Sequence, residues 1–244
     1  MKITDHQEQP VANAEVRLVK ADSGEGVATL SSAEGLAALE AATPGEYKLM
    51  VRKAGYMPLV MAHVQVGDAA TQVEPKLVTQ PVFDKWSSDA EAAVKRKKYK
   101  EALALYQQIL AYFPQDAGFW ANLATTYQMD GDLEEAMEAV EKAAHYDPQY
   151  DRLEKEIVGI AAHEVGKKYL AQREFPKAVR YFTRSVTADP TYAPAFYGLA
   201  LSYANQGMYP QALENVQKAL ELSPNDSQYK SIEERLKNLV GRKQ

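Results

Sequence analysis

Prolines recur at a fixed interval in the second part of this chain of 244 residues. Pro114 and Pro148 are 34 residues apart, and so are Pro190 and Pro224. An alanine stands twelve residues before each of these prolines, at Ala102, Ala136, Ala178 and Ala212. Self-similarity at this period predicts a repeat protein, in which each unit buries its apolar face only against its neighbours. The prolines are expected to end helices, because they lack the N–H group and clash with the preceding turn.

Two of the four segments carry a longer shared motif. Residues 120–127 read W-x-x-L-A-x-x-Y, and residues 196–203 read F-x-x-L-A-x-x-Y. Four residues after the repeated alanines come Tyr106, Val140, Phe182 and Val216. Together with the prolines, these positions resemble the tetratricopeptide repeat, whose pattern is W-x2-L-G-x2-Y, then A-x3-F, then P. The resemblance implies helix pairs stacked as an α-solenoid, with the first helix of each pair lining a concave groove.

One interval between prolines is longer than the others. Pro148 and Pro190 are 42 residues apart, which is eight more than 34. Eight residues are about two helical turns. No proline interrupts residues 151–171, so we predict one long helix over this range, projecting beyond its neighbours. Its role stays open between a tolerated helix extension and an extra partner surface or dimer contact.

The first 78 residues have a different pattern. Residues 15–20 (EVRLVK) and 46–51 (EYKLMV) alternate charged and apolar side chains, which predicts strands with one buried face. Turn formers such as Pro44-Gly45 separate the runs. Short strands at this spacing favour a β-sandwich. We expect them near residues 2–5, 14–20, 26–31, 35–40, 46–53, 59–66 and 71–78.

The same region resembles the carboxypeptidase regulatory-like domain, a small transthyretin-like or immunoglobulin-like sandwich. The resemblance depends on Pro10, Ala14 and Val16, on the P-G-x-Y-x-L-x-V pattern of residues 44–51, and on Gly55-Tyr56. In that pattern the tight turn is followed by three side chains expected to face the core, Tyr47, Leu49 and Val51. The resemblance implies a domain without catalytic function of its own.

The sequence therefore predicts a multidomain β + α protein. A carboxypeptidase regulatory-like β-sandwich is expected over residues 1–79 and a tetratricopeptide solenoid over residues 82–240. The four helix pairs are expected at about 83–116, 117–150, 159–192 and 193–226, with the first helix starting near Asp84. A capping helix over 227–240 is expected to close the stack, since a terminal repeat needs a polar outer face. Because the connector is short, the sandwich is expected to rest on the first helices.

Composition and motifs exclude several kinds of function. The chain has no cysteine, so disulfides and thiolate nucleophiles are absent, and with a net charge of −5 it shows no basic domain that would suit nucleic acid. No G-x-S-x-G, P-loop or H-E-x-x-H motif is present. The four histidines (His6, His63, His145 and His163) lie in different predicted elements without metal-ligand spacing. We predict no catalysis, no metal and no cofactor. No apolar run reaches the ~20 residues that cross a bilayer.

Candidate binding residues lie on the side of each first helix opposite its packing stripe. From the second, third and fourth pairs we predict a partner-binding groove lined by Asn122, Thr125, Gln128, Met129, His163, Lys167, Leu170, Tyr197, Leu201 and Asn205. This neutral, amide-bearing and partly apolar set favours an extended peptide or a partner helix, whose backbone the amides can bond.

Some tetratricopeptide proteins hold a C-terminal carboxylate with Lys, Arg and Asn side chains in the groove. Asn122 matches such an Asn, but Ser87, Glu91 and Glu164 stand where Lys, Asn and Arg are expected. The sequence therefore does not favour a carboxylate clamp.

The predicted function is a non-enzymatic adaptor that binds a protein or peptide in the helical groove. The alternative is a self-assembling scaffold, a homo-oligomer formed through the long helix or the sandwich face. A weaker alternative is carbohydrate binding by the sandwich, where Tyr47 and Tyr56 are the aromatic candidates. Carboxypeptidase regulatory-like domains are common on exported bacterial proteins, which predicts a periplasmic or cell-surface location with the leader absent from this chain. A cytoplasmic location is the alternative.

Overall fold

The computed structural model describes residues 1–40, 43–67 and 71–241. Contacts divide the chain into two compact units, Met1–Asp116 and Ala117–Gln244. Within the described ranges, the first unit holds six strands and two helices, and the second holds seven α-helices.

The strands are β1 (Thr4–Asp5), β2 (Glu15–Lys20), β3 (Gly26–Leu30), β4 (Gly45–Arg52), β5 (Leu59–Val66) and β6 (Lys76–Leu77). The helices are α1 (Gln80–Lys95), α2 (Tyr99–Tyr112), α3 (Ala117–Asp130), α4 (Leu133–Tyr146), α5 (Asp151–Ala171), α6 (Phe175–Ala188), α7 (Ala193–Asn205), α8 (Tyr209–Leu222) and α9 (Ser227–Gly241). A single 3-10 turn, Pro148–Tyr150, precedes α5.

The β region is built on a four-stranded antiparallel sheet in the order β3-β2-β4-β5. In its centre Val16 lies opposite Val51 and Leu18 opposite Leu49, and these side chains are buried as the alternation predicts. Tyr47 is also buried, and its hydroxyl donates a hydrogen bond to the Thr43 carbonyl at 2.7 Å. Ile3 and Leu77, from the segments that form the parallel pair β1–β6, share this core. The second layer of the β region therefore consists of the short β1–β6 pair.

Three of the expected strands are wrong in extent. The strand expected over 35–40 does not form, and Leu36 makes an isolated bridge to Lys2. The strands expected over 2–5 and 71–78 shrink to the two-residue β1 and β6. The reason is that the backbone of the first segment bonds to several partners in turn instead of one ladder: the Ile3 N–H donates to the Gly35 carbonyl and the Thr4 N–H to the Pro75 carbonyl.

No flexible linker separates the β region from α1. α1 begins at Gln80 instead of near Asp84, because Pro81 is tolerated in a first turn, where its N–H would have no partner. The Gln80 N–H donates to the carbonyl of Gly55, which lies between β4 and β5. The His6 ring also meets the Trp86 ring of α1 edge-on at 6.2 Å. The first unit therefore has the β region resting on its helices, as expected.

The second helix of each pair has the same length and the same end. α2, α4, α6 and α8 each contain 14 residues and stop two residues before the repeat proline. A proline disfavours the helical conformation of the residue before it. That residue is the helix C-cap in each case and lies outside the helical region: Phe113, Asp147, Asp189 and Ser223. The repeated alanines before these prolines are all fully buried.

The turns within the pairs share one backbone geometry. Gly131 and Gly207 have positive φ, +92° and +73°, and Lys97 and Arg173 occupy the equivalent places at +59° and +61°. The residue after each donates its N–H to a carbonyl five residues back, as the Asp132 N–H does to Tyr127. This bond closes a helix end that would otherwise leave carbonyls unpaired.

The ring of Phe182 fixes how closely α5, α6 and α7 pack. Phe182 on α6 is fully buried. A Cβ atom added to Gly198 of α7 would lie 2.4 Å from this ring, and one added to Gly166 of α5 would lie 2.9 Å from it. Both helices approach the ring at positions where only a glycine leaves room.

We expect Gly198→Ala to destabilise the protein by about 1–3 kcal/mol, because the new methyl group overpacks the Phe182 ring. Gly159→Ala in α5 is the matched control, since its Cβ would meet the Asp189 Cβ at an ordinary 3.5 Å. That variant is expected to gain about 0.5–1 kcal/mol from helix propensity. Urea unfolding of both variants measures the difference. Equal stability of the two would contradict the role given to the ring.

Candidate functional site

The predicted groove residues lie on three neighbouring first helices, α3, α5 and α7, all in the second unit. α3 contributes Asn122 and Met129, which are exposed, and Thr125 and Gln128, which are half-buried. The Thr125 hydroxyl donates to the Ala121 carbonyl of its own helix at 2.5 Å. The two groove residues that α3 exposes are therefore uncharged: the Asn122 amide and the Met129 thioether.

The α5 residues differ from one another in their surroundings. Lys167 is exposed, and its ammonium group donates to Glu164 at 2.9 Å. Leu170 is half-buried and packs against the apolar cluster around Phe182. His163 is only 9% exposed. Lys167 is thus the α5 member of the set that presents its end to solvent.

His163 is held between aromatic rings and a carboxylate. The Tyr192 ring meets it edge-on at 5.1 Å, and the Phe182 ring lies 5.7 Å away. Its Nδ1 atom is 3.2 Å from a Glu164 carboxylate oxygen. Burial lowers the pKa of His163 below its ordinary value, against the opposing effect of Glu164. Burial therefore favours the neutral imidazole, and His163 helps to hold α5 against the start of α7.

Tyr197 of α7 is half-buried and contacts the last helix. Its ring lies 4.7 Å from the ring of Tyr229 in α9, with the planes tilted by 32°. Burial raises the pKa of the Tyr197 hydroxyl. This tyrosine contributes to the contact between α7 and α9, so its removal is expected to affect stability as well as any binding.

Leu201 and Asn205 line a cleft between α7 and α9. The cleft has a volume of about 320 Å³, within the range of small-ligand pockets. Apolar and polar groups share its wall; the lining is Leu201, Ala204, Asn205, Tyr209, Ile232, Arg235, Leu236 and Leu239. The Asn205 side chain is exposed and donates to the Leu201 carbonyl at 2.8 Å. The fourth pair thus ends in an apolar recess with an amide at its edge.

The α9 side of this cleft was not predicted as part of the site. Ile232, Leu236 and Leu239 recur at helical spacing in α9, and this spacing is the signal that the sequence carries. Leu236 is buried in the core of α7, α8 and α9. Arg235 beside it is exposed and forms no ion pair within the described ranges.

The described residues offer no sign of a metal centre or a membrane span. No group of three or more His, Cys, Asp or Glu side chains in residues 1–40, 43–67 and 71–241 is placed to hold a metal ion. Over the same ranges no helix is both long enough and apolar enough to span a membrane.

Comparison with protein families agrees with this architecture. The tetratricopeptide repeat family matches residues 93–156 and 193–226, and the carboxypeptidase regulatory-like domain family matches residues 2–78. The chain contains tetratricopeptide repeats and a carboxypeptidase regulatory-like domain. Both resemblances found in the sequence are therefore confirmed, and the arrangement of a β region followed by a helical repeat array is confirmed with them.

Curated relatives match this repeat protein over part of their length. Hsp70-Hsp90 organizing protein 2 of Arabidopsis thaliana is 24% identical over 149 residues, which are 61% of this chain and 23% of that protein. The heat-shock protein cognate co-chaperone sgt12 of Aspergillus fumigatus is 31% identical over 99 residues, 41% of this chain and 29% of that protein. The chain thus spans less than a third of these relatives.

Solved structures with a similar arrangement include MamA of Desulfovibrio magneticus RS-1, residues 41 to the end. It is 18% identical, covers 66% of this chain and 92% of its own, and superposes with a TM-score of 0.40.

We expect the stability of the protein to fall between pH 7 and pH 5 partly because of His163. Its pKa is lowered in the folded state, so the unfolded chain, with a His pKa of about 6.5, binds the proton first as the pH drops. The stabilisation is present above pH ~6.5 and is lost as the pH falls through the folded value.

Urea midpoints from pH 8 to pH 5 for the wild type, His163→Gln and His145→Gln test this expectation. His145 is exposed and serves as the control. The loss of stability at low pH is expected to be smaller in His163→Gln and unchanged in His145→Gln. Parallel pH curves for all three proteins would show that His163 is not the group responsible.

Proposed function

We propose that this protein is a non-catalytic adaptor. It holds an extended peptide or a partner helix along the first-helix face of α3, α5 and α7 and anchors one end in the cleft between α7 and α9. The self-assembling scaffold stays the alternative. A location in the periplasm or at the cell surface is part of the proposal, because the β domain is of the carboxypeptidase regulatory-like kind.

The observation that carries the proposal is the α7–α9 cleft. Leu201 and Asn205, predicted from helical periodicity as groove residues, line the same recess. Its apolar wall can take an aliphatic or aromatic side chain, while the Asn205 amide at its edge can bond a peptide backbone. Peptide recognition by helical grooves uses this combination of a buried anchor and backbone contacts.

The charges on this face favour a neutral or weakly acidic ligand. Lys167 is engaged with Glu164, and the exposed α3 residues of the set are uncharged. Arg235 is the cation at the cleft, and it lacks an ion-pair partner in the described part of the chain. Glu164, which takes the place of an expected Arg, lies between His163 and Lys167, so a carboxylate clamp on α5 is disfavoured.

The relatives support the general class of function. Their names describe a protein that organises Hsp70 and Hsp90 and a co-chaperone, which are activities on other proteins. The tetratricopeptide family matches cover residues 93–156 and 193–226 of this chain.

The experiment is selection of binding peptides from a displayed random library on the full chain, followed by calorimetry with the selected peptide. We expect the double variant Leu201→Ala, Asn205→Ala to weaken the peptide at least tenfold, about 1.4 kcal/mol, because it removes the apolar wall and the amide at the cleft.

A matched control exists on α8. Leu222→Ala with Asn215→Ala removes an exposed leucine and an asparagine that donates to the Gln211 carbonyl at 2.8 Å, as Asn205 does to Leu201. This control is expected to bind normally. Equal binding by both double variants would refute the groove. If no peptide is selected and light scattering shows concentration-dependent oligomers, the scaffold is favoured instead.

A further inference from the structure

The extended first half of α5 creates a second cleft, away from the predicted groove. It lies where α4, α5 and α6 meet and has a volume of about 370 Å³. Its lining comes from all three helices and consists of Glu141, Glu154, Lys155, Val158, Thr183, Arg184, Thr187 and Ala188. None of these residues belongs to the predicted groove set.

The cleft depends on the additional turns of α5. This helix has 21 residues, whereas α3 has 14 and α7 has 13. Glu154, Lys155 and Val158 lie in the first eight residues of α5, the part that a 34-residue spacing would not supply. The eight extra residues therefore supply one wall of a recess instead of only lengthening a helix.

The charges in the cleft are unequally satisfied. Arg184 of α6 forms an ion pair with Glu141 of α4, so these two side chains neutralise each other. Lys155 is exposed. Glu154 is half-buried and has no ion pair or hydrogen bond to any other described residue. Its carboxylate is the one charged group in the lining that has lost water without gaining a partner.

The electrostatic setting of Glu154 agrees with this geometry. Burial raises the pKa of its carboxyl, and the nearby Glu141 and Asp151 raise the pKa further, while Lys155 and Arg184 act in the opposite direction. A cation placed beside Glu154 would relieve both the desolvation and the repulsion from neighbouring carboxylates.

The walls of the cleft suit the stem of a long cationic side chain. Val158 is buried, and Thr187 and Ala188 line the cleft with it. Lys and Arg side chains bury their methylene stems on such surfaces while keeping the charged end on a polar partner. Arg184 already shows this arrangement inside the protein, since it extends from α6 to Glu141 of α4.

We propose that this cleft is a docking site for a Lys or Arg side chain of a partner protein, with Glu154 as the ion-pair partner and Val158 and Ala188 as the contact for its stem. The cleft shares no residue with the adaptor groove set, so the protein can engage a basic partner surface where α4, α5 and α6 meet while the groove is occupied. An anion is disfavoured, because it would lie beside the carboxylates of Glu154 and Glu141.

The test is an NMR titration of the 15N-labelled full chain with N-acetyl-lysine N-methylamide as the probe. We expect shifts confined to the amides of residues 151–158 and 183–188. The norleucine analogue, which has the stem without the charge, is expected to give no localised shifts. Glu154→Gln is expected to weaken the lysine probe about fivefold, because it removes the negative charge with little change in shape.

Glu156→Gln is the matched control. Glu156 is exposed on the same helix and pairs with Arg152 at 2.9 Å, outside the cleft. This variant is expected to bind the probe as the wild type does. Thr187→Phe fills the cleft and leaves the carboxylate in place, so it is expected to abolish the localised shifts while the melting curve shows that the protein is folded.

Several results would overturn the proposal. These are an absence of localised shifts in the wild type, equal binding by Glu154→Gln and Glu156→Gln, and equal binding of the lysine and norleucine probes. Tighter binding of free 1,5-diaminopentane than of the capped lysine would assign the cleft to a small amine and would also contradict a protein docking site. None of these results bears on the α7–α9 cleft, so the adaptor proposal stands or falls separately.

Discussion

The packing of one phenylalanine ring sets the geometry on which the second unit depends. Phe182 reaches from α6 into the space between α5 and α7, and both helices present glycine to it. Interiors are packed at crystal-like density, so a ring in this position fixes the separation of its neighbours within a narrow range. The His163 ring lies against Phe182, and Leu170 belongs to the same cluster. The surface that α5 and α7 share follows from this contact, and so does the placement of the candidate groove.

Those parts of the fold that depend on local sequence could be predicted. A proline acts on the residue beside it, so the ends of α2, α4, α6 and α8 could be located from the sequence. The buried alanines follow from the same spacing, because helices that cross closely leave no room for a larger side chain. The range of α5 also followed from local sequence, since nothing between Asp151 and Ala171 breaks a helix.

Features that depend on what lies opposite a residue could not be predicted in the same way. Periodicity indicates which side of a helix faces away from its own pair, but not what the next pair or the capping helix places there. Thus Tyr197, assigned to the groove, contacts Tyr229, and His163 is enclosed by Tyr192 and Phe182. The strand expected over residues 35–40 is absent for a related reason, since no neighbouring segment pairs with it as a ladder. The two clefts each need two or three helices to exist, so no single stretch of sequence encodes them.

The left-handed residues at the turns divide the four pairs into two kinds. A non-glycine residue in this conformation costs about 1–2 kcal/mol, which Gly131 and Gly207 avoid. Lys97 and Arg173 instead bring a cation to the carboxyl ends of α1 and α5, where the helix dipole is negative. This interaction stabilises the folded state by about 0.3–1 kcal/mol, and dissolved salt screens it. The first and third hairpins therefore derive part of their cohesion from an ionic-strength-dependent source that the second and fourth do not use. In concentrated salt, the helix ends at these two turns would fray first, and one of these turns lies in each compact unit of the chain.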